Sequence, residues 1–250
     1  MKLRIASYNI SGGFYEDDQS VDFFDKSKSD DIDLRMLNET IKIINEENID
    51  IICFQEIITT EKIGYIKRLS DGTNLKYYEQ FETSPCHLVE NAEMGIAILS
   101  KYPIESSIKK MFTNPRLSKT TSSGNTYYSF DKGLLISKVN INGNYISVLT
   151  HHGFPFRRFN TTPEANESVF IEFDNFIKEL NPDVITGDFN AEGFIDMMDY
   201  TRDNYIKTID VPTTDDGKKF DNILLKNNNY SSKIIKSLSD HFMIVSEIEI

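Results

Sequence analysis

Asp188 and Asn190 carry side-chain oxygens two residues apart, directly after the apolar run Val184-Ile185-Thr186 and Gly187. Residues i and i+2 of an extended segment point to the same side. A carboxylate and a carboxamide therefore project together from the end of a buried strand. Burying such groups is costly unless they meet a partner, and a metal ion, a bound water or a phosphate is such a partner. Gly, Asp and Asn are also turn residues, so this segment alone fits a strand that simply ends in a turn. Recurrence argues against the turn. Leu3–Tyr8 ends at Asn9, Ile51–Phe54 ends at Gln55-Glu56, and Ile146–Thr150 ends at His151-His152. Asp221 stands before Ile223 and Leu224, and Ser239-Asp240-His241 precedes the last apolar run. Three of the chain's four histidines stand at such ends. Polar side chains gathered at strand ends are the usual lining of a crevice in an α/β fold.

The elements that must carry these groups are readable from periodicity. Strands are expected over Leu3–Asn9, Ile49–Phe54 and Gly95–Ser100. Leu34, Leu37, Ile41 and Ile44 follow helical spacing, with Asp33 as N-cap. Leu134–Ile141 and Tyr145–Thr150 flank Asn142-Gly143-Asn144, a hairpin signature. A helix through Val169, Phe173, Phe176, Ile177 and Leu180 starts near Thr162-Pro163 and is closed by Pro182. Phe220–Leu225, Ile234–Leu238 and Phe242–Ile250 complete the strands. The polar, acidic segment Ser11–Asp31 reads as a mobile loop bordering the site. Helices interleave with strands and hairpins occur too, which predicts a mixed, layered α/β sandwich forming one domain over residues 1–250.

Composition narrows the partners. A chain of 250 residues with 39% apolar content can bury a sizeable core. A net charge of −12 disfavours broad, non-specific binding to nucleic acid, because phosphates repel such a surface. It leaves room for a nuclease whose site is locally basic or neutralised by a metal. No apolar run reaches the length of a membrane span, and the N-terminal apolar stretch is too short for a signal peptide. Cys53 and Cys86 suggest neither a disulfide framework nor a zinc cage. A cytoplasmic monomer is the expectation.

Four segments, Tyr8-Asn9, Phe54-Gln55-Glu56, Gly187-Asp188-Phe189-Asn190 and Ser239-Asp240-His241, resemble the signature motifs of the endonuclease/exonuclease/phosphatase superfamily. Lys219-Phe220-Asp221-Asn222-Ile223 and Glu93-Met94-Gly95-Ile96-Ala97-Ile98-Leu99-Ser100 resemble two further segments of the same family. The motifs run from residue 9 to residue 241, nearly the whole chain. The resemblance implies a four-layered α/β sandwich of two packed mixed β-sheets flanked by helices. It also implies Mg²⁺- or Mn²⁺-dependent hydrolysis of a phosphoester. Glu56 would be the principal metal ligand, with Asn9 close by and Asp240 assisting; oxygen donors suit these hard cations. Asp188 would activate water, and Asn190 would bind the phosphoryl oxygens. His241 would donate to the phosphoryl group, with Asp221 on its other ring nitrogen.

His151 follows Thr150 as in the family's Thr-His pair, whereas His152 has Pro155 three residues on, as in deoxyribonuclease-like members. Both readings stay open, with His152 favoured and Glu93 expected to orient whichever histidine is used. Arg157 and Arg158, set among Phe154, Phe156 and Phe159, are candidates for clamping a substrate phosphate. The substrate expected is DNA or RNA. The alternatives are a small phosphoester, such as a phospholipid head group or an inositol or sugar phosphate, and a non-catalytic binding protein of the same fold.

Overall fold

Strand alternation sorts the side chains into layers. In β1 (Lys2–Asn9), Leu3 and Ile5 point to one side, while Ala6 and Tyr8 point to the other. The computed structural model describes residues 1–14, 33–60, 62, 64–122, 124–226 and 229–249, so most of the expected Ser11–Asp31 loop lies outside the described residues. Within them the remaining strands are β2 (Ile51–Thr59), β3 (Tyr77–Pro85), β4 (Glu93–Ser100), β5 (Ile104–Met111), β6 (Ser118–Thr120), β7 (Thr126–Tyr128), β8 (Gly133–Ile141), β9 (Asn144–His152), β10 (Val184–Asp188), β11 (Ile206–Lys207), β12 (Asp221–Leu225), β13 (Tyr230–Ile235) and β14 (Met243–Glu249). The helices are α1 (Leu34–Glu46), α2 (Tyr65–Gly72), α3 (Glu167–Leu180) and α4 (Asp199–Asn204).

Two six-stranded sheets result, ordered β13-β14-β1-β2-β4-β3 and β11-β12-β10-β9-β8-β5. Each is mixed: β1 runs parallel to β2 and β9 parallel to β10, while the other pairs are antiparallel. Leu3, Ile5, Ile51 and Cys53 of the first sheet meet Val139, Val148, Val184 and Ile223 of the second in a central aliphatic core. The outer face of the first sheet packs on α1 and α2 through Met36, Ile44, Phe54 and Leu69. The outer face of the second packs on α3 through Phe170, Phe173 and Ile177. The architecture is the four-layered sandwich that the sequence led us to expect.

Asp33 caps α1 as expected, its carboxylate accepting from the backbone of Arg35 and Met36 at 2.9 and 3.3 Å. Several boundaries differ. The strand expected over Ile234–Leu238 lies earlier, at β13. The helix expected near Thr162-Pro163 begins as a 3-10 turn over Glu164–Asn166 and becomes α-helical at Glu167. Strands β3 and β5 have no counterpart in the sequence reading. Both are sheet edges with many exposed positions, so their polar residues hide the apolar alternation. The largest difference is β2. It does not stop at Phe54 but continues to Thr59 through a bulge, where Gln55 pairs with Ile96 and Ile57 with Gly95.

Candidate active site

The site forms where the central faces of the two sheets run out of apolar residues. In β1, Leu3, Ile5, Ser7 and Asn9 share one face by period two, so Asn9 ends the row that packs against the second sheet. Glu56 should not reach this place. Regular alternation would set it beside Ile52 and Phe54, on the helix-covered face. The bulge makes Glu56 the unpaired extra residue, and its backbone takes a left-handed φ of 58°. Its side chain thereby turns into the crevice, where Asn9 Nδ2 donates to Glu56 Oε1 at 3.2 Å.

The second sheet supplies the opposite wall by register. Asp188 of β10 lies directly across from His152 of β9 on one side and from Asp221 of β12 on the other. Three ionisable groups thus stand in line across three adjacent strands. Gly187 allows this close approach: a Cβ there would come within 2.5 Å of the His151 ring and of its carbonyl oxygen. Asn190 follows with a left-handed φ of 51°. Its backbone N–H donates to Asp188 Oδ1 at 2.8 Å, and its amide donates to Gly153 O at 3.1 Å and Asp188 Oδ2 at 3.2 Å.

Asp188 Oδ2 is the point of convergence. Asn9 Nδ2 donates to it at 3.1 Å, His152 Nε2 lies 3.6 Å away and His241 Nε2 lies 3.9 Å away. The Asp188 carboxylate is 1% exposed. Burial first, then the charge of Asp221, pushes its pKa up to about 7, with Glu56 adding to the rise. Burial disfavours the charged form of His241, but Asp221, Asp188 and Asp240 outweigh it and hold the imidazole well above its usual range. The His241 Nδ1–H donates to Asp221 Oδ2 at 2.8 Å, and Thr213 Oγ1 donates to the same oxygen at 2.8 Å. His241 is therefore a fixed cationic donor at neutral pH. Asp240 stands at the rim, accepting from Ser11, while Ser239 Oγ beside it donates its one proton to Asn9 O at 2.8 Å.

The structure thus brings together Asn9, Glu56, His152, Asp188, Asn190, Asp221 and His241, with Asp240 beside them. It leaves out other residues singled out in the sequence. His151 points away from the crevice and packs against Phe173 and Phe189, with ring centroids 4.2 and 4.3 Å apart. Glu93 is exposed at the start of β4, opposite Thr59, and makes no hydrogen bond or ion pair to either histidine. Arg157 faces outward and pairs with Asp216 at 3.4 Å. Arg158 is exposed, yet its charge is felt by two buried neighbours, Lys132 and His87.

Lys132 is the residue that sequence reasoning missed. It is buried, and its Nζ lies 3.0 Å from His152 Nδ1, in the place expected for Glu93. Burial lowers its pKa, and the charges of Glu56 and Asp188 oppose that drop. The only signal in the sequence is a lysine directly preceding the glycine that opens β8.

The donor set suits a hard divalent cation. Glu56 and Asp188 present carboxylate oxygens to the same amide of Asn9, and burial first, then the charges of Asp221 and Glu56, impose a cost on the charged form of Asp188. A cation held by these oxygens would relieve it. Asn9 presents its nitrogen here, so it would ligate through oxygen only after its amide turns over. Asp188, Asp221 and His241 are also close enough together to share an ion. A protonated imidazole cannot ligate, however, and the proton between His241 and Asp221 already explains their approach.

The sequence profile of the Endonuclease/Exonuclease/phosphatase family matches residues 6–241. No curated protein matches by sequence. Among solved structures, the fold is similar to an endonuclease/exonuclease/phosphatase from Beutenbergia cavernae, with 15% identity and a TM-score of 0.69 over 98% of this chain and 71% of that one. It is similar to a beta toxin variant from Staphylococcus aureus with bound magnesium ions, with 15% identity and a TM-score of 0.66 over 100% of both chains. A truncated TDP2 from Caenorhabditis elegans gives 17% identity and a TM-score of 0.65 over 100% of this chain and 98% of that one. The chain belongs to the endonuclease/exonuclease/phosphatase family.

Proposed function

We propose that the chain is a single catalytic domain that hydrolyses phosphodiesters with the help of Mg²⁺ or Mn²⁺. The observation that carries this reading is the geometry at Asp188: a buried carboxylate ringed by Asn9, His152, Asn190 and His241, its pKa pushed up by burial and by the charge of Asp221. A base works best when its pKa lies near the working pH. Asp188 would hold the attacking water through one oxygen and take its proton. Asn190, whose two amide protons go to Gly153 O and Asp188 Oδ2, would keep the Asp188 carboxylate in place and would reach a phosphoryl oxygen by turning one of these protons toward it. His241, kept cationic by Asp221, would donate to the developing negative charge on phosphorus. His152 would donate from the other side of Asp188. Glu56, with Asn9 beside it and Asp240 assisting, would hold the cation, which when bound would neutralise a phosphoryl oxygen. The beta toxin structure with bound magnesium supports the choice of ion by likeness of fold.

Nucleic acid is the first substrate class to test. A small phosphoester is the second reading, favoured by the net charge of −12 and by the Asp216 partner that occupies Arg157 at the rim. The deciding experiment incubates the purified protein with Mg²⁺, Mn²⁺ or chelator against single- and double-stranded DNA and RNA. A parallel panel contains phospholipid head groups and inositol and sugar phosphates. Cleavage should need the cation and should vanish in Asp188→Ala and His241→Ala. Equal activity of both variants and wild type would overturn the site, and cation-independent cleavage would overturn the metal role.

A further inference from the structure

We propose that Lys132 is a positioning residue: it occupies Nδ1 of His152 and so fixes the imidazole in the tautomer that carries its proton on Nε2, aimed between Glu56 and Asp188. An ammonium has three N–H donors and no acceptor. Lys132 Nζ lies 3.0 Å from His152 Nδ1, so with Lys132 charged, the form that Glu56 and Asp188 favour, that nitrogen accepts. An imidazole that accepts at Nδ1 keeps its single proton on Nε2. His152 Nε2 in turn lies 3.6 Å from Glu56 Oε1 and 3.6 Å from Asp188 Oδ2, both acceptors. Donor therefore faces acceptor along the whole row from Lys132 through the ring to the two carboxylates.

His241, on the far side of Asp188, is set the opposite way. Its Nδ1 faces Asp221, an acceptor, so its Nδ1 must donate. The two histidines thus flank Asp188 Oδ2 with opposed polarity, one oriented by a carboxylate and the other by a lysine. On the His241 side the positive charge resides on the ring. On the His152 side it resides one residue further back, on Lys132, and the ring relays a donor without carrying charge. Lys132 touches neither water nor substrate in this scheme. The tautomer stands apart from the phosphoester reading, whereas its effect on rate rests on that reading.

Nitrogen-15 NMR of the imidazoles in the metal-free protein tests the tautomer directly. The four histidines give separate patterns, and the His152 pattern is identified by its loss in His152→Gln. Wild type should show His152 protonated at Nε2 and bare at Nδ1. Lys132→Met should abolish that fixed tautomer while leaving the His241 pattern alone, and Lys132→Arg, which keeps the donors, should preserve it. A wild-type His152 protonated at Nδ1, or a Lys132→Met pattern identical to wild type, overturns the proposal. If Lys132→Met does not fold, the wild-type pattern and the Lys132→Arg variant still decide. On a cleaved substrate, Lys132→Met should lower kcat by on the order of tenfold with KM little changed, and Lys132→Arg should recover part of it. A confirmed tautomer in a protein that cleaves nothing would overturn the phosphoester reading and leave the tautomer standing.

Discussion

His151 and His152 are neighbours on one strand, yet they inhabit opposite environments. His152 faces the crevice with a lysine on one ring nitrogen and two carboxylates near the other. His151 faces the helices, walled by Phe112, Phe154, Phe170, Phe173 and Phe189, and neither of its nitrogens has a hydrogen-bond partner among the described residues. Burial alone lowers its pKa to about 3. The same alternation separates Asp188 in the crevice from Phe189, which stacks on Phe194 at 3.6 Å behind it. Residue type does not assign a role here. The face of the strand does, because one face collects charges that answer one another and the other collects rings that exclude them.

Substitutions of adjacent residues should break this contrast or sharpen it. Asp188→Asn should lower kcat roughly 10³-fold while thermal stability holds or rises, since a carboxylate repelled by Asp221 and Glu56 is gone. Phe189→Ala should do the reverse, costing about 3–5 kcal/mol of stability. Paired steady-state kinetics and thermal melts check both. If the two profiles came out alike, the division between faces would fail. His152→Gln should cost about 10²-fold in kcat, whereas His151→Leu should leave kcat/KM within about threefold of wild type.

His151 should instead declare itself in acid. Its folded pKa of about 3 lies below the ordinary histidine value of 6.5, so below pH 6.5 the unfolded chain takes up a proton that the folded chain refuses. The stability at stake is present above pH 6.5 and drains away as pH falls toward 3, at up to about 1.4 kcal/mol per pH unit. His151→Leu should therefore shift the midpoint of acid unfolding to lower pH, read by circular dichroism. An unchanged midpoint would mean that His151 finds a proton acceptor in solution. The smallest effect is expected at Arg157, already engaged by Asp216: Arg157→Ala should change KM by no more than about twofold.

Much of this organisation was legible in the sequence. Strands that end in Asn9, Asp188 and the two histidines announced a crevice, and Asp33 announced its helix. What escaped depends on backbone geometry that no side chain advertises. The bulge at Glu56 reverses the face that alternation assigns, so the motif located the residue while periodicity misdirected it. The choice between His151 and His152 turned on which face of β9 meets the other sheet. Both faces are buried in this strand, so its hydrophobic pattern could not tell. Lys132 was invisible because its partner lies across a hairpin, 20 residues away. Glu93 was persuasive as a motif residue but is exposed opposite Thr59, at the far end of β2 from Ile51.

The left-handed backbone of Glu56 sets folding against chemistry at one residue. A residue with a Cβ is disfavoured there by roughly 1 kcal/mol, and glycine is not. Glu56→Gly should therefore give a protein that is harder to unfold and chemically silent. A glycine at the bulge would leave the fold in place and remove the carboxylate that the proposed cation site needs.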